Sequence, residues 1–522
     1  MPAKRLAALV LALLLTGASS AVEARAGSPA ATSLAPLGRP VRAGAAAHRG
    51  PSVSAALQSL RASGAITEAL YSSDTAIYLA AEHSLARLSG TRREELGAVL
   101  ANVRAIAAAG ELSASRAPAV FLTLERNRLW WTTEPLLSSG ERVTFPPSKL
   151  IWEYYAGQGI EIQWLATFGA GNAYYNSGHE DANLRRLLAE VIPLATKRAG
   201  GIAWEYLFRF DGGAPPWTSG LSQGTALQVL SRAWSRFSEP ADLTAAQQAL
   251  AIYRQPPPQG VRVATRAGAL YAEYTYAPGD RILNGFIQAL VGIYDYTAIT
   301  RDPLGLELFE AGDAEARAEV PRYDTGHWSR YDQFGESSLN YHELLTEFLQ
   351  HLCERTRKGP PIATVPTPSA APTPPASTTP PPAAGGAPTG GTGAPTGPAG
   401  TATAAHPAQS SQIPGDQIYC TTAAHFSEDL GTAPEVTLLS SSLRTGTRAG
   451  VQVLLSKIAT VTLTIRRGSS VVWTNRATVE GGHPRLLWVT PSRPGSYAVT
   501  LSAVDLAGNF STAQGTIRLT RH

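Results

Sequence analysis

A long charge-free segment divides this chain and constrains its fold more than any other feature. Between Gly359 and Gly415 there is no Asp, Glu, Lys or Arg, and the segment holds 15 of the 38 prolines. Such a sequence has too few apolar side chains to offset the entropy that is lost on ordering. We therefore predict a disordered Pro/Gly/Thr-rich linker at 359–415, with separately folded parts before and after it.

The sequence after the linker has a pattern typical of β-strands. Short runs rich in β-branched residues, at 451–455, 460–465 and 496–504, are separated by turn pairs such as Pro494-Gly495. About seven short strands at this spacing predict an all-β sandwich at 432–522. The last third of this region resembles bacterial Ig-like or fibronectin type III-like modules, which implies a role in spacing, docking or surface binding.

The first residues have the layout of a secretory signal. Two basic residues precede an uncharged apolar run, Leu6 to Leu15, and small residues suitable for cleavage follow near Ala26. This run is too short to cross a hydrocarbon layer of about 30 Å as a helix. We expect a signal peptide at 1–26, a disordered lead-in at 27–48, and a protein that is secreted or held in the cell envelope without an integral membrane segment.

The charge balance argues against a nucleic-acid partner. The chain has 44 Lys and Arg against 40 Asp and Glu, and removal of residues 1–26 leaves 41 against 39. No block of basic residues marks a phosphate-binding surface. We therefore expect no nucleic acid among the partners.

The part before the linker is predicted to be mainly helical, with a helical N-terminal region at 49–145 and a larger domain at 146–356. A mixed pattern between the two suggests short strands at 121–124 and 160–164. Apolar residues recur at helical spacing over five blocks: 53–60, 96–103, 224–234, 284–296 and 343–353.

Tyrosine and tryptophan are concentrated beside Gly and Asn in three stretches of the larger domain, at 151–159, 217–224 and 323–332. Aromatic faces next to polar side chains suit a sugar-binding groove, because a pyranose has an apolar face and a rim of hydroxyls. Large aromatics that fill the centre of a helical toroid would give the same pattern. Common hydrolase, metalloprotease and phosphate-loop motifs are absent from the sequence, and we predict no metal site and no cofactor.

The order of six segments is similar to one known family. These segments occur in sequence over about 200 residues and resemble the C-terminal catalytic domain of D-glucuronyl C5-epimerases, which act on heparan-type glycosaminoglycans: 149–175, 217–234, 282–286, 294–295, 323–326 and 340–342. The resemblance implies an (α/α) toroid at 146–356 and an isomerase that inverts C5 of glucuronate units in a polysaccharide.

The resemblance also implies a set of catalytic residues. The Glu-Tyr pair of the family falls on Glu273 and Tyr274, its Tyr-Asp-Thr-Gly tyrosine falls on Tyr323, and its Tyr-His tyrosine falls on Tyr341. Inversion at C5 requires two proton-transfer groups on opposite faces of the ring. Tyrosine, with an ordinary pKa of about 10, is a poor base at neutral pH but a good acid, whereas a carboxylate can serve as the base. Tyr271 and Tyr276, close in sequence, are alternatives to Tyr274.

The substrate carboxylate must be held and partly neutralised during this reaction. Arg330 and Arg232 are the candidates for this role, although either could be an ordinary helix-surface arginine. Gln223, Asn284 and Trp217 lie in the matching segments and are expected to contact the substrate.

Two other functions remain open at this stage. A polysaccharide lyase would begin with the same proton abstraction and then expel the C4 substituent. A non-catalytic glycan-binding or envelope protein would keep the fold alone. A homodimer, and cell-wall or glycan contact through the C-terminal module, are further expectations about partners.

The chain has only two cysteines, Cys353 and Cys420, and they flank the linker. An exported protein allows disulfides, so we expect these two to pair and to close the linker into a loop. Two free or separately buried thiols are the alternative.

Overall fold

A computed structural model describes residues 50–361 and 416–521. The expected signal peptide, the lead-in and nearly all of the expected linker lie outside the described residues. Within the described ranges, no helix is long and apolar enough to cross a membrane.

Four helices form the first part of the described chain. Helix α4 contains residues 121–124, so the strand predicted there is wrong. The apolar side chains of this stretch belong to a longer helical series of buried residues, Val120, Phe121, Leu124 and Trp131, which a four-residue window does not reveal. The helices are α1 (Val53–Ala62), α2 (Glu68–Arg87), α3 (Gly90–Ala108) and α4 (Ala117–Thr133).

The larger helical part follows and carries three small antiparallel sheets. Strand β3 contains the strand predicted at 160–164 in part, and the blocks predicted as helices at 224–234, 284–296 and 343–353 lie inside α7, α9 and α11 as listed next. The helices are α5 (Trp164–Ser177), α6 (Asp181–Val191), α7 (Gly220–Phe237), α8 (Pro240–Ala249), α9 (Leu283–Thr300), α10 (Pro303–Glu319) and α11 (Leu339–Thr356). The strands are β1 (Arg142–Val143), β2 (Trp152–Tyr155), β3 (Gly159–Ile162), β4 (Thr196–Arg198), β5 (Gly201–Ala203), β6 (Arg262–Ala264) and β7 (Ala269–Tyr271).

Helices α7 and α9 lie at the centre of this part, and most of their residues are buried. They approach closely through Gly224 and Gly292, where an added Cβ would overlap the backbone of the opposite helix. Glycine is therefore required at the contact, and it fixes the position of α9 relative to α7.

The second described range begins with helix α12 (Asp416–Asp429), which packs against α11. Its buried residues Tyr419, Ala423 and Phe426 recur at helical spacing and face the helical core. The Tyr419 hydroxyl donates to Asp313 Oδ1 at 2.7 Å. A disulfide joins Cys353 of α11 to Cys420 of α12, with the two Cα atoms 5.0 Å apart.

Eight strands form the C-terminal part in two sheets around one apolar core. The five-stranded sheet has the order β12–β11–β14–β15–β9, and the three-stranded sheet has the order β13–β10–β8. All neighbours are antiparallel except β15 and β9. The strands are β8 (Val436–Leu438), β9 (Ser442–Arg444), β10 (Arg448–Leu455), β11 (Ala459–Arg467), β12 (Ser470–Val479), β13 (Arg485–Val489), β14 (Gly495–Asp505) and β15 (Phe510–Thr520).

The prediction of a helical part followed by a β-rich part is confirmed. The closed toroid and the Ig-like assignment stay predictions.

A buried ammonium group connects the β-rich part to the helices. Lys457 Nζ lies 2.8 Å from Asp505 Oδ2 and donates to the carbonyl of Asp429, at the end of α12, at 2.7 Å. It also lies 5.1 Å from the ring centre of Trp328 in the helical part. The Gly481 amide, between β12 and β13, donates to Glu336 Oε2 at 2.9 Å. The β-rich part therefore contacts the loop that precedes α11.

The disulfide can be tested chemically. If Cys353 and Cys420 pair in the folded protein, thiol titration under denaturing, non-reducing conditions should find no reactive thiol, and two should appear after reduction. Two thiols before reduction would contradict the pairing. A Cys353→Ser, Cys420→Ser double variant, which has no cysteine, provides the zero point of the assay.

Candidate functional site

The site is built around the turn that follows β7. This turn runs beside the segment that enters α7, because the Gly220 amide donates to the Ala272 carbonyl at 3.0 Å and the Thr275 amide donates to the Thr218 carbonyl at 3.1 Å. A third bond, from the Thr218 amide to Thr275 Oγ1 at 3.1 Å, closes the pairing. Glu273 and Tyr274 are thereby held on a rigid support.

The Glu273 carboxylate lies over the first turn of α9. An added Cβ on Gly285 would overlap Glu273 Oε2, so a side chain there would displace the carboxylate from this position. Oε2 is shielded from solvent and has no hydrogen-bond partner among the described residues. Burial raises the pKa of Glu273 to about 7, and the adjacent Tyr274 hydroxyl offsets part of this rise. The partial positive charge of a helix N-terminus also favours a carboxylate at this position.

Three tyrosines surround this carboxylate: Tyr274, Tyr331 and Tyr341. The rings of Tyr331 and Tyr341 are 4.6 Å apart, and the Tyr274 ring stacks on Tyr276 at 5.3 Å. Burial raises the pKa of each of the three, and the nearby Glu273 carboxylate raises it further. For Tyr341 the pKa rises to about 12. These hydroxyls consequently keep their protons at neutral pH.

The loop before α11 positions Tyr331. Its amide donates to the Gly335 carbonyl at 3.0 Å, and its carbonyl accepts from the amide of Leu283, the first residue of α9, at 3.4 Å. Tyr341 lies in the first turn of α11. The two tyrosines thus reach the carboxylate from separate elements that meet at the start of α9.

A buried histidine fixes the same loop. The His342 ring stacks on Trp328 with centroids 3.7 Å apart, and His342 Nδ1 accepts from the Ser329 amide at 3.2 Å. Its Nε2 lies 2.9 Å from the Phe426 carbonyl of α12, so Nε2 carries the proton. Burial lowers the pKa of His342 to about 4, which keeps the ring neutral. His342 therefore has a structural role beside Tyr341.

Tyr323 does not join the site, which corrects the prediction from the sequence. Its side chain is buried, and its hydroxyl donates to the carbonyl of Arg281. The charges that affect its pKa include Glu319 and Arg281 but not Glu273. Tyr331 takes the expected place instead. The sequence carried a signal for this residue, because a second Tyr-Asp pair, Tyr331-Asp332, follows the first after eight residues.

Arg232 lies apart from Glu273 and the tyrosines, and the Gln223 side chain is occupied by bonds to Trp204. Arg232 Nη2 pairs with Asp295 Oδ2 at 2.9 Å and Nη1 donates to Asn172, so its donors are engaged. It lies twelve residues along α7 from Gly220, about 18 Å at 1.5 Å per residue, whereas Gly220 contacts the Glu273 turn. The Gln223 amide bonds both the amide and the carbonyl of Trp204, at 3.2 and 3.0 Å, and is fully buried.

Two other expected substrate contacts are only partly in place. Arg330 acts electrostatically on Glu336 and not on Glu273. Trp217 is within the site, but Tyr206 stacks on it at 4.3 Å and the Tyr274 ring meets it edge-on at 5.7 Å. Trp217 is 4% exposed, so it backs the tyrosines and offers no open face to a sugar.

Asn284 remains a good candidate for substrate contact. It occupies the first turn of α9 beside Gly285, and its Oδ1 is buried without a hydrogen-bond partner. The hydroxyl of Tyr276 is in the same condition. Since buried polar atoms are seldom left unpaired, Glu273, Asn284 and Tyr276 together mark a place where polar groups of a ligand or water are expected.

A second carboxylate approaches the tyrosines from the β2–β3 hairpin. Tyr154 points into the core, where its hydroxyl donates to Glu95 at 2.8 Å, so the alternating residues Glu153 and Tyr155 point the other way. Burial raises the pKa of Glu153, and this carboxylate in turn raises the pKa of Tyr341. Arg142 Nε lies 3.5 Å from Glu153 Oε2. The hairpin lies in the aromatic stretch at 151–159 that was expected to suit a sugar, but Glu153 was not among the predicted site residues.

No cluster of three or more His, Cys, Asp or Glu side chains in residues 50–361 and 416–521 is arranged to bind a metal ion.

Residues 199–363 match the family model described as D-glucuronyl C5-epimerase C-terminus, which confirms the family resemblance predicted from the sequence. A D-glucuronyl C5-epimerase of Caenorhabditis elegans is 31% identical over 131 residues, covering 23% of this chain and 21% of the relative. An uncharacterized protein of Methanocaldococcus jannaschii is 28% identical over 163 residues, covering 30% of this chain and 53% of that protein. The chain thus spans about a fifth and about half of these relatives.

Among solved structures, an engineered protein is 19% identical and covers 20% of this chain and 27% of its own, with a TM-score of 0.15, which carries no information on the fold. Glu273, Tyr274, Tyr331 and Tyr341 lie inside the matched family segment, whereas Glu153 lies before it.

The buried carboxylate has a measurable consequence for stability. The pKa of Glu273 is about 7 in the folded chain and 4.5 for an ordinary Glu, so the native state binds an extra proton between these values. Stability should therefore fall as the pH rises through this window. A Glu273→Gln variant cannot ionise, and its gain over wild type should grow across the window to at most about 3 kcal/mol above pH 7.

Thermal unfolding followed from pH 5 to 9 measures this difference. An exposed carboxylate variant, Glu307→Gln, is the matched control and should follow the wild-type profile. If the stability of Glu273→Gln depends on pH in the same way as that of wild type, the Glu273 carboxylate is not desolvated in the folded protein.

Proposed function

Because residues 199–363 form a segment of the D-glucuronyl C5-epimerase C-terminal family, we propose that this site inverts C5 of glucuronate units in a polysaccharide. The observation that carries the proposal is the Glu273 carboxylate, held by Gly285 under three protonated tyrosines. A base and several acids thereby share one desolvated place. C5 epimerisation, the reaction of the matched family, requires such a base and an acid at one site.

Glu273 is the base in this mechanism. A general base works best with a pKa near the working pH, and a pKa of about 7 leaves a large fraction of Glu273 ionised at neutral pH. The carboxylate takes the C5 proton, the C–H electron pair stays on the substrate, and the resulting carbanion is stabilised by the adjacent substrate carboxylate. No electron is gained or lost by the protein.

A tyrosine returns a proton to the opposite face of the ring. Tyr331 and Tyr341 come from the loop before α11 and from α11, whereas Glu273 comes from the turn after β7. Their raised pKa values keep both hydroxyls protonated, so they can donate but cannot compete as bases. Tyr274 lies between the base and one of the acids, because its hydroxyl lowers the pKa of both Glu273 and Tyr331 by hydrogen bonding. It can restore the starting protonation after each turnover.

The substrate carboxylate and hydroxyls need partners of their own. We assign the buried Asn284 side chain to the substrate hydroxyls, because its Oδ1 is free to accept. Arg142, which reaches Glu153 at 3.5 Å, is the arginine we assign to the substrate carboxylate, in place of Arg330 and Arg232. The export of the chain, the closed helical toroid, the Ig-like module and a homodimer belong to the same proposal and rest on the sequence patterns above.

An isotope-exchange assay tests the reaction. Incubation in D₂O with a polymer of alternating glucuronate and N-acetylglucosamine should place deuterium at C5 without shortening the chain. A new unsaturated uronate that absorbs in the ultraviolet would show elimination and a lyase. Neither product, with binding retained, would overturn the catalytic proposal in favour of a glycan-binding protein. The Glu273→Gln variant is the negative control.

A pair of tyrosine variants tests the corrected site. Tyr331→Phe removes one hydroxyl beside Glu273 and should lower the exchange rate at least a hundredfold, the usual scale of general acid catalysis. Tyr323→Phe is the matched control in the same loop and should retain turnover, because its hydroxyl bonds the Arg281 carbonyl. Loss of exchange in Tyr323→Phe with a retained rate in Tyr331→Phe would reverse the assignment.

A further inference from the structure

The β-rich part carries a strongly asymmetric charge. Residues 432–522 contain ten Lys and Arg but only three Asp and Glu, so the net charge of this part, +7, exceeds the net charge of the whole chain, +4. Lys457 and Asp505 neutralise each other in the buried contact. The remaining basic residues are all arginines, and the two remaining acids are Glu435 and Glu480.

The outer face of the five-stranded sheet collects part of this charge on a flat, hydroxyl-rich surface. Alternate residues of its central strands, among them Leu463 and Leu501, are buried in the core, so their neighbours point outward. The register aligns Arg476, Thr462, Ser502 and Thr512 in one row across four strands, and Thr474, Thr464, Thr500 and Gln514 in the next.

Arginines lie near the ends of this face, and acids are missing from it. Arg476 is on the edge strand β12, and Arg518 is on β15 with Ser496 and Ser442 as its register partners. Both are exposed, and neither forms an ion pair with any described residue. No outward position of β11, β12, β14, β15 or β9 holds Asp or Glu. We call the surface made by these outward residues the Thr/Arg face.

The Thr/Arg face adjoins the loop before α11, which carries Tyr331. Strand β12 ends at Val479, and two residues later the Gly481 amide donates to Glu336, five residues after Tyr331. Arg476 is five residues before Gly481, which an extended chain covers in about 17 Å. A polymer that leaves the candidate site along the loop before α11 would therefore reach Arg476 within about this distance.

We propose that the Thr/Arg face binds an anionic polysaccharide outside the catalytic site. Guanidinium groups match carboxylates geometrically, and rows of hydroxyls and an amide match sugar hydroxyls. A nucleic acid fits less well, because single strands stack their bases on aromatic side chains and this face offers only Phe510 at its margin. The choice of a uronate polymer as occupant rests on the proposed function; the binding itself does not require catalysis.

Binding by the full chain to a polymer of alternating glucuronate and N-acetylglucosamine tests the proposal. An Arg476→Ala, Arg518→Ala double variant should weaken the affinity at least tenfold and flatten its dependence on salt. Its matched control is Arg448→Ala, Arg493→Ala, which removes the same charge from exposed positions outside the face and should bind like wild type. Deuterium exchange at C5 of a short oligosaccharide should be unchanged in both double variants.

Several results would overturn the proposal: equal losses in the two double variants, no binding of the polymer by wild type, or equally tight binding of double-stranded DNA. Neutral dextran should not bind. The outcome is separate from that of the catalytic proposal, because a chain without epimerase activity can still bind through the Thr/Arg face, and an active one can lack this binding.

Discussion

The close contact between α7 and α9 governs the geometry of the candidate site. Gly224 and Gly292 let the two helices touch at a distance that any Cβ would prevent. That contact places the first turn of α9 under Glu273, where Gly285 leaves the space that Oε2 fills. A side chain at any of the three glycines would separate the helix from its neighbour or displace the carboxylate. The position of the Glu273 carboxylate therefore depends on backbone packing between two helices.

Burial of the Glu273 carboxylate destabilises the fold, and this indicates that the position serves a purpose other than stability. Burial without a partner for Oε2 raises the pKa of Glu273, and the same desolvation keeps the surrounding tyrosines protonated. In an ordinary core, this combination would be replaced by apolar residues or by a paired charge. Two further buried oxygens without partners, on Asn284 and Tyr276, lie on adjoining segments. A polar ligand that bonds these three oxygens would explain why they lie unpaired near one another.

Sequence patterns could identify the elements of the helical part and three of the four residues grouped in the candidate site, but not the contacts between distant segments. Helical periodicity located α7 and α9, and the family resemblance led to Glu273, Tyr274 and Tyr341. Tyr323 and Tyr331 head identical Tyr-Asp pairs, and only the turns of the loop decide which one faces the carboxylate. Arg232 has the charge that a ligand of the substrate carboxylate needs. Its actual partner, Asp295, lies on another helix, and a local sequence pattern cannot reveal such a pair. The aromatic stretch at 151–159 pointed to the β2–β3 hairpin, but no local pattern places its Glu153 carboxylate near Tyr341.

The C-terminal part directly contacts the loop that precedes α11 and carries Tyr331. Three contacts converge there: the disulfide holds α12 on α11, the Phe426 carbonyl of α12 holds His342 next to Tyr341, and Gly481 holds Glu336 next to Tyr331. The segments that carry Tyr331 and Tyr341 are thus contacted by residues after 415, beyond the end of the matched family segment at residue 363. These external contacts add to the backbone bonds within the loop, such as that from the Tyr331 amide to the Gly335 carbonyl. It follows that the family segment alone lacks part of what positions its own tyrosines.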